Sequence, residues 1–371
     1  MKKKKVLFII WSFTFGGGAE RVLATLANNM PKDKYDIDIL EYWHSNVHTE
    51  QVDSNIRILK PVVDSINDSR FKRIFKYILV HLFPSVLRRK YVKENYDIEI
   101  SYNYLIPTFL LRKKGKTISW LHGDIYNLKK EKISYLLQRK AFKYVDKIVA
   151  ISENTYKSIE DVYPEYKNKL EIIHNGYNFN NMYEKSKEFD VDKKNVKEII
   201  FLGRLEDNKN PLFLIEVAKL LKEDNVLFHI SFLGKGELEN DMLAKIKEYG
   251  LDKNIDMLGY ISNPYPYINN SDIVVGCSKS EGFPTVYVEG LSFGKPFVST
   301  KVGGSLELSN DEKCGFVTSD LKEYKNYLKK LITDKKIYDK MSKNALEYSK
   351  NFSIEAQVKN VDELINKVLG D

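Results

Sequence analysis

Short apolar runs rich in β-branched residues alternate with helix-like stretches along this chain, and the alternation is laid down twice. In the first series VLFII leads to AERVLATLANNM, and then come IDILEYW, DIEISYN, TISWLH and KIVAIS. After EIIHNG a polar segment runs from Tyr177 to Lys197, and the pattern restarts with EIIFLGRL, VLFHISFLGKGE, IDMLGY and DIVVGCS. Strands separated by helices return in parallel, and a parallel sheet needs helices over both of its faces. The expected fold class is therefore α/β, with two doubly wound domains in series. A length of 371 residues at 43% hydrophobic content also exceeds one ordinary core. The expected organisation is an N-terminal domain over residues 1–180, a second over 181–350, and a closing helix over 351–371 that packs back on the first, with the polar segment 177–197 as linker.

Composition removes several function classes. The only cysteines, Cys277 and Cys314, have no metal-like spacing, so neither a disulfide framework nor a zinc site is expected. The start MKKKKVLFIIW imitates a signal peptide, but its apolar run stops after Trp11, too short for an h-region or a membrane span, and a cytoplasmic location is expected. Charge is uneven: up to Asn180 there are 31 Lys and Arg against 20 Asp and Glu, and beyond it 28 against 31. The first half thus expects an anionic partner.

In the second series, Glu281 and Glu289 bracket EGFPTVYVE directly after the strand-like DIVVGCS. Pro284 suits the first turn of a helix, which puts Glu281 in the loop and Glu289 about two turns into the helix. The N–H groups of Thr285, Val286 and Tyr287 would be unpaired helix-start donors, suited to a diphosphate. Carboxylates on either side can accept from vicinal hydroxyls, and phosphate plus polyol describes a nucleotide sugar. A surface helix with two solvated glutamates would show the same pair, so neighbouring motifs decide. One is GRLEDNKNP, where Arg204 and Lys209 share a loop after a strand and can neutralise a departing diphosphate.

With these residues the chain resembles the family-4 glycosyltransferases. The likeness runs from GGGAERVL at Gly16 through WLHGD, VAISE, IIHNGYN and GRLEDNKNP to the E-x(7)-E element. It implies the GT-B architecture, two Rossmann-like domains facing a cleft. It also implies transfer with retention, a nucleotide-diphosphate sugar donor in the second domain, an acceptor in the first, no required metal and no cofactor. By matched position, Arg204 and Lys209 resemble the diphosphate pair, Glu289 the ribose carboxylate and Glu281 the group touching the transferred sugar. The backbone of Gly282, Phe283, Pro284, Thr285 and Val286 would line sugar and phosphate. His122 resembles a histidine near the anomeric centre, and Gly17 and Gly18 would let backbone approach the phosphates. The family proline after a later diglycine is absent, since the chain reads VGGSLEL from Val302, so phosphate contacts at Gly303 and Gly304 are less secure. Cys277 is expected to be a small buried hydrophobe.

Between Ser69 and Lys93 there are eight Lys or Arg and no acid, with Phe71, Ile74, Phe75, Ile78, Leu79 and Leu82 at amphipathic-helix spacing before Pro84. Such a helix either packs on a core with a solvated basic face or lies on anionic lipid. The expectation is that Arg70, Lys72, Arg73 and Lys76 meet the inner membrane leaflet near a lipid-linked acceptor. Nucleic acid is disfavoured, because no aromatic-interleaved platform accompanies the charge. Other readings stay open at this point. An NAD-dependent oxidoreductase is weakened because FGGGAER does not supply G-x-G-x-x-G. A metal-dependent transferase would rest on Asp36/Asp38 or Asp190/Asp192, and a same-fold sugar-nucleotide epimerase is the third.

Overall fold

The computed structural model describes residues 2–14, 18–46, 48 and 52–370. Its strands are β1 (Lys4–Ile10), β2 (Tyr35–Glu41), β3 (Trp43–His44), β4 (Arg57–Ile58), β5 (Val63–Asp64), β6 (Ile98–Ser101), β7 (Lys116–Leu121), β8 (Lys147–Ala150), β9 (Leu170–Ile172), β10 (Lys197–Leu202), β11 (Phe228–Leu233), β12 (Ile255–Gly259), β13 (Ile273–Gly276), β14 (Phe297–Ser299) and β15 (Gly315–Val317). The chain divides into two compact units, Met1–Tyr177 with Ser353–Asp371, and Asn178–Phe352.

The first unit holds a seven-stranded parallel sheet in the order β4-β2-β1-β6-β7-β8-β9, with β3 and β5 paired separately. Val6 to Ile10 of β1 are all buried, as a central parallel strand covered on both faces requires. Helix α1 (Gly18–Asn29) covers one face with Leu23, Leu26 and Ala27. Onto the same core the helix Ile354–Leu369 brings Val361, Leu364, Ile365 and Val368. Burying four such side chains is worth about 1.5–3 kcal/mol each. Ser353 starts this helix by accepting the Ala356 N–H, and Gly370 ends it at φ +85°.

The second unit is a six-stranded parallel sheet, β12-β11-β10-β13-β14-β15. Chain order reverses between β10 and β13, and in the first unit between β1 and β6. Ligands of doubly wound sheets sit beyond the carboxyl ends of strands at such reversals.

The sequence expectation of two doubly wound α/β domains holds, and the strand-like runs quoted above form strands. One local expectation does not. The polar segment 177–197 contains a helix, Phe179–Lys185, capped by Asn178, so its polarity reflects a solvated helix rather than a bare linker. Asn210, just before the helix Pro211–Glu223, sits in the left-handed region at φ +50°, and its side chain makes no cap hydrogen bond. Pro84 does break the basic segment, giving α2 (Arg70–Leu82) and α3 (Pro84–Tyr91).

Candidate active site

At the reversal in the second unit, β10 and β13 are parallel neighbours, so the loops leaving their carboxyl ends meet. Lys209 and Glu281, 72 residues apart, thereby form an ion pair. Ser278 Oγ donates to the same carboxylate oxygen, Oε1, at 2.8 Å. Among the described residues no partner is found for Glu281 Oε2, which is left to accept from a hydroxyl. Asn208 Nδ2 donates to Ser280 O at 3.2 Å, and Lys279 N donates to Asn208 O at 2.8 Å, tying the two loops together. Sequence reasoning missed Ser278 and Asn208, because their role exists only once two remote loops touch.

Arg204 behaves differently. Its side chain is 75% exposed and pairs with Glu206 at 3.0 Å. The turn beneath it is fixed by glycine: at Gly234, φ +152°, a Cβ would lie 1.8 Å from Gly203 O. Any side chain there would displace the backbone that carries Arg204. Cys277 is fully buried, with its thiol pushed up to about 12 by desolvation, as a buried hydrophobe would be.

The helix predicted after Pro284 spans Thr285–Ser292, with Pro284 just outside it in extended conformation. Glu289 therefore stands one turn in rather than two. Of the three expected donors, Tyr287 N is already taken by Pro284 O at 3.2 Å. Thr285 and Val286 remain, with no hydrogen bond to either amide among the described residues. Gly282 is exposed and a Cβ there would meet nothing within 4 Å, so its Cα borders open space. Gly303 and Gly304 have another reason to be glycine. A Cβ on Gly303 would come within 2.5 Å of Glu281 O, and one on Gly304 within 2.6 Å of the Phe283 ring. They form the floor on which the Glu281–Phe283 loop rests.

A cavity of about 320 Å³ opens at the opposite, amino-terminal edge of this sheet, lined by Asp190, Asp192, Glu198 and Asp256 among others. It lies at the wrong strand ends for the donor residues, and Asp192 of the D-x-D triplet does not join them.

In the first unit, His122 directly follows β7. Its Nε2 is buried and has no partner among the described residues, and burial pushes its pKa down to about 3, so the imidazole is neutral. Its ring lies 4.5 Å from Tyr102 and is stacked with Trp120 at 6.4 Å. Behind it Gln357, from the closing helix, is buried beside Tyr102 and packs against Gly176, where a Cβ would fall 2.8 Å from Ile354 Cα. Gly17 lies outside the described residues. Gly18 opens α1, and a Cβ there would meet nothing within 4 Å.

Helix α2 turns its apolar stripe outward: Phe71 is 79% exposed and Leu82 65%, while only Val80 is fully buried. Arg70 and Lys72 are exposed, and Arg73 is half-buried. Lys76 corrects the sequence reading. It is paired with Asp68 and only 14% of its side chain is exposed, because the preceding turn folds an acid back over it. Arg88 likewise turns inward, to the buried Glu99 on β6. No helix among the described residues is long and apolar enough to cross a membrane.

Two family models match successive halves of the chain, "Glycosyltransferase Family 4" over residues 16–181 and "Glycosyl transferases group 1" over 183–348. Among relatives is the Campylobacter jejuni GalNAc-alpha-(1->4)-GalNAc-alpha-(1->3)-diNAcBac-PP-undecaprenol alpha-1,4-N-acetyl-D-galactosaminyltransferase, 26% identical over 94% of this chain and 95% of that one. Another is the Escherichia coli UDP-Gal:alpha-D-GlcNAc-diphosphoundecaprenol alpha-1,3-galactosyltransferase, 26% identical over 94% and 92%. The solved structure of Anabaena HepE in complex with UDP superposes with a TM-score of 0.71 at 17% identity, covering 98% of this chain and 100% of that one, and shows the shared fold. With both halves matched in order and the GT-B fold in place, the chain belongs to the family-4 glycosyltransferases.

Proposed function

We propose that the protein moves a hexose or N-acetylhexosamine from a UDP-sugar to a lipid-linked glycan acceptor at the inner membrane face, with retention of anomeric configuration. The donor half of this reading is carried by the meeting of Lys209, Ser278 and Glu281 beside a helix start with two unengaged amides. Lys209, those amides and the mobile-length side chain of Arg204 receive the diphosphate. As the glycosidic C–O bond of the donor breaks, negative charge gathers on that diphosphate, and preplaced cations and amides stabilise it most where charge develops. Glu281 Oε2 takes a sugar hydroxyl and Glu289 the ribose. A neutral His122 can offer a hydrogen bond near the anomeric carbon without placing a positive charge beside an oxocarbenium-like centre. No side chain is assigned as general base; the leaving phosphate accepts the acceptor's proton, as the family resemblance implies.

UDP is favoured because the E. coli relative's name specifies UDP-Gal and HepE binds UDP. A lipid-linked acceptor is favoured because both relatives' names carry an undecaprenol diphosphate. The outward apolar stripe of α2, flanked by Arg70, Lys72 and Arg73, supports a seat on anionic lipid. A thermal-shift panel of UDP-, GDP- and ADP-sugars tests the donor, since a ligand that binds the native state raises its apparent stability. Mass and NMR analysis of transfer to extracted lipid acceptors follows. Stabilisation by GDP- or ADP-sugars alone would overturn the donor assignment, and an inverted product would overturn the mechanism.

A further inference from the structure

In the first unit, three side chains with metal-binding atoms converge at the carboxyl end of β2. Glu41, its last residue, is fully buried. Its Oε2 accepts the Phe13 N–H at 3.1 Å, from the turn that leaves β1. Its Oε1 faces His44 Nδ1 at 2.7 Å and His48 Nε2 at 3.0 Å. The three ligand atoms all lie within 4.8 Å of one another. The two imidazole rings pack edge to face at 5.2 Å, and the Phe13 ring closes on His48 at 5.9 Å. Hydroxyls of Ser12, Thr14 and Ser45 run alongside, Thr14 Oγ1 being 2.9 Å from Ser12 Oγ and 3.0 Å from Ser45 Oγ.

Two imidazoles directed at one oxygen of a buried carboxylate form a His₂-carboxylate donor set, the kind that suits zinc and its neighbours in the first transition row. The second carboxylate oxygen is already held by a backbone amide, the outer-shell support that fixes a ligand's orientation. The ion pairs of Glu41 among the described residues are both to histidines, so no lysine or arginine there competes for its charge. We propose that Glu41, His44 and His48 bind one divalent transition ion of the zinc type, with a fourth position open to water. In tetrahedral coordination, bonds of about 2.0–2.2 Å set ligand atoms about 3.3–3.6 Å apart, so each imidazole nitrogen has to draw back from the carboxylate oxygen by roughly half an ångström. The ion would tie the turn after β1 to the segment after β2. The E-x2-H-x3-H spacing carries this site in sequence, and a search confined to cysteines and D-x-D triplets passes over it.

The test uses tag-free full-length protein stripped with chelator and titrated with Co²⁺, followed by Zn²⁺. The expected result is one Co²⁺ per chain with visible d–d absorption, displaced by Zn²⁺, and a Tm raised by Zn²⁺. His44→Ala and His48→Ala should each weaken Co²⁺ binding at least tenfold while keeping the circular dichroism of the parent. His48 is solvent-facing, so its variant is the one whose folding is least at risk. Absence of visible Co²⁺ absorption in the parent would mean a hydrogen-bonded triad that takes no ion, and would overturn the proposal. Unchanged affinity in both variants would do the same, by placing the ion elsewhere.

Discussion

The two units share a sheet architecture and differ in what lies at its working edge. In the second unit Gly234 after β11 and Gly303 and Gly304 after β14 leave no room for a Cβ against the loops after β10 and β13, and Lys209 is already paired with Glu281. In the first unit Gly18 and Gly123 border open space, and α2 presents bare phenylalanines and cations. On the function proposed above, the contrast follows the kind of ligand each edge would meet. A small, highly charged donor rewards preorganised groups, whose geometry costs nothing further at the moment of reaction. A lipid surface is fluid and wide, so area and charge matter more than register.

The comparison breaks most visibly at Lys209. Lys209→Ala should lower kcat/KM for sugar transfer by about 10²–10³-fold, the usual cost of removing one group that stabilises developing charge. Steady-state transfer assays check this, and a loss under threefold would show that the paired loops are merely structural. In the first unit, changing Arg70, Lys72 and Arg73 together to Glu should weaken binding to anionic vesicles by at least about a hundredfold, at roughly 1 kcal/mol per cation lost and with three repelling charges added. UDP-sugar affinity should stay at the parent value. Lys76→Glu is excluded from that set because it would break the Asp68 pair and confound the result.

A finer cut lies within the second unit. Glu289→Ala should weaken free UDP about tenfold, whereas Glu281→Ala should impair transfer and leave UDP affinity near the parent value; calorimetry beside kinetics separates them. Equal losses of UDP affinity would dissolve the division between ribose and sugar. The smallest effect is a pH dependence in the first unit. His122 titrates near 3 when folded against 6.5 when free, so between those values the unfolded chain binds the extra proton. Its contribution leaves stability undiminished above about 6.5 and lowers it as pH falls toward 3. His122→Gln should therefore flatten the acid limb of a Tm-against-pH curve.

Much of this was legible in sequence for a physical reason. Strands such as VLFII are buried on both faces and read as unbroken apolar runs, and EGFPTVYVE and GRLEDNKNP are local enough to be seen whole. What was not legible depends on distant chain segments. Nothing near Lys209 announces Ser278 or Glu281, and nothing near Lys76 marks Asp68 as its partner until the turn is built. Gly303 and Gly304 stand out in sequence as a diglycine, but their support of the Glu281–Phe283 loop shows only in the fold. The stripe Phe71–Leu82 showed amphipathicity but not its direction, since periodicity alone does not say whether core or solvent lies over the apolar face.

The contact of Gly176 with Ile354 and Gln357 has a consequence for synthesis. The first unit is interrupted: its sheet ends with β9, but Val361, Leu364, Ile365 and Val368 complete its core only after the entire second unit has been made. At roughly 5–20 residues per second, the nascent sheet waits roughly 10–35 s for its last helix, while the second unit is contiguous and can close first. Chaperone demand should therefore fall on the half that is translated first, and a released chain ending at residue 352 would carry a finished second unit on an unfinished first one.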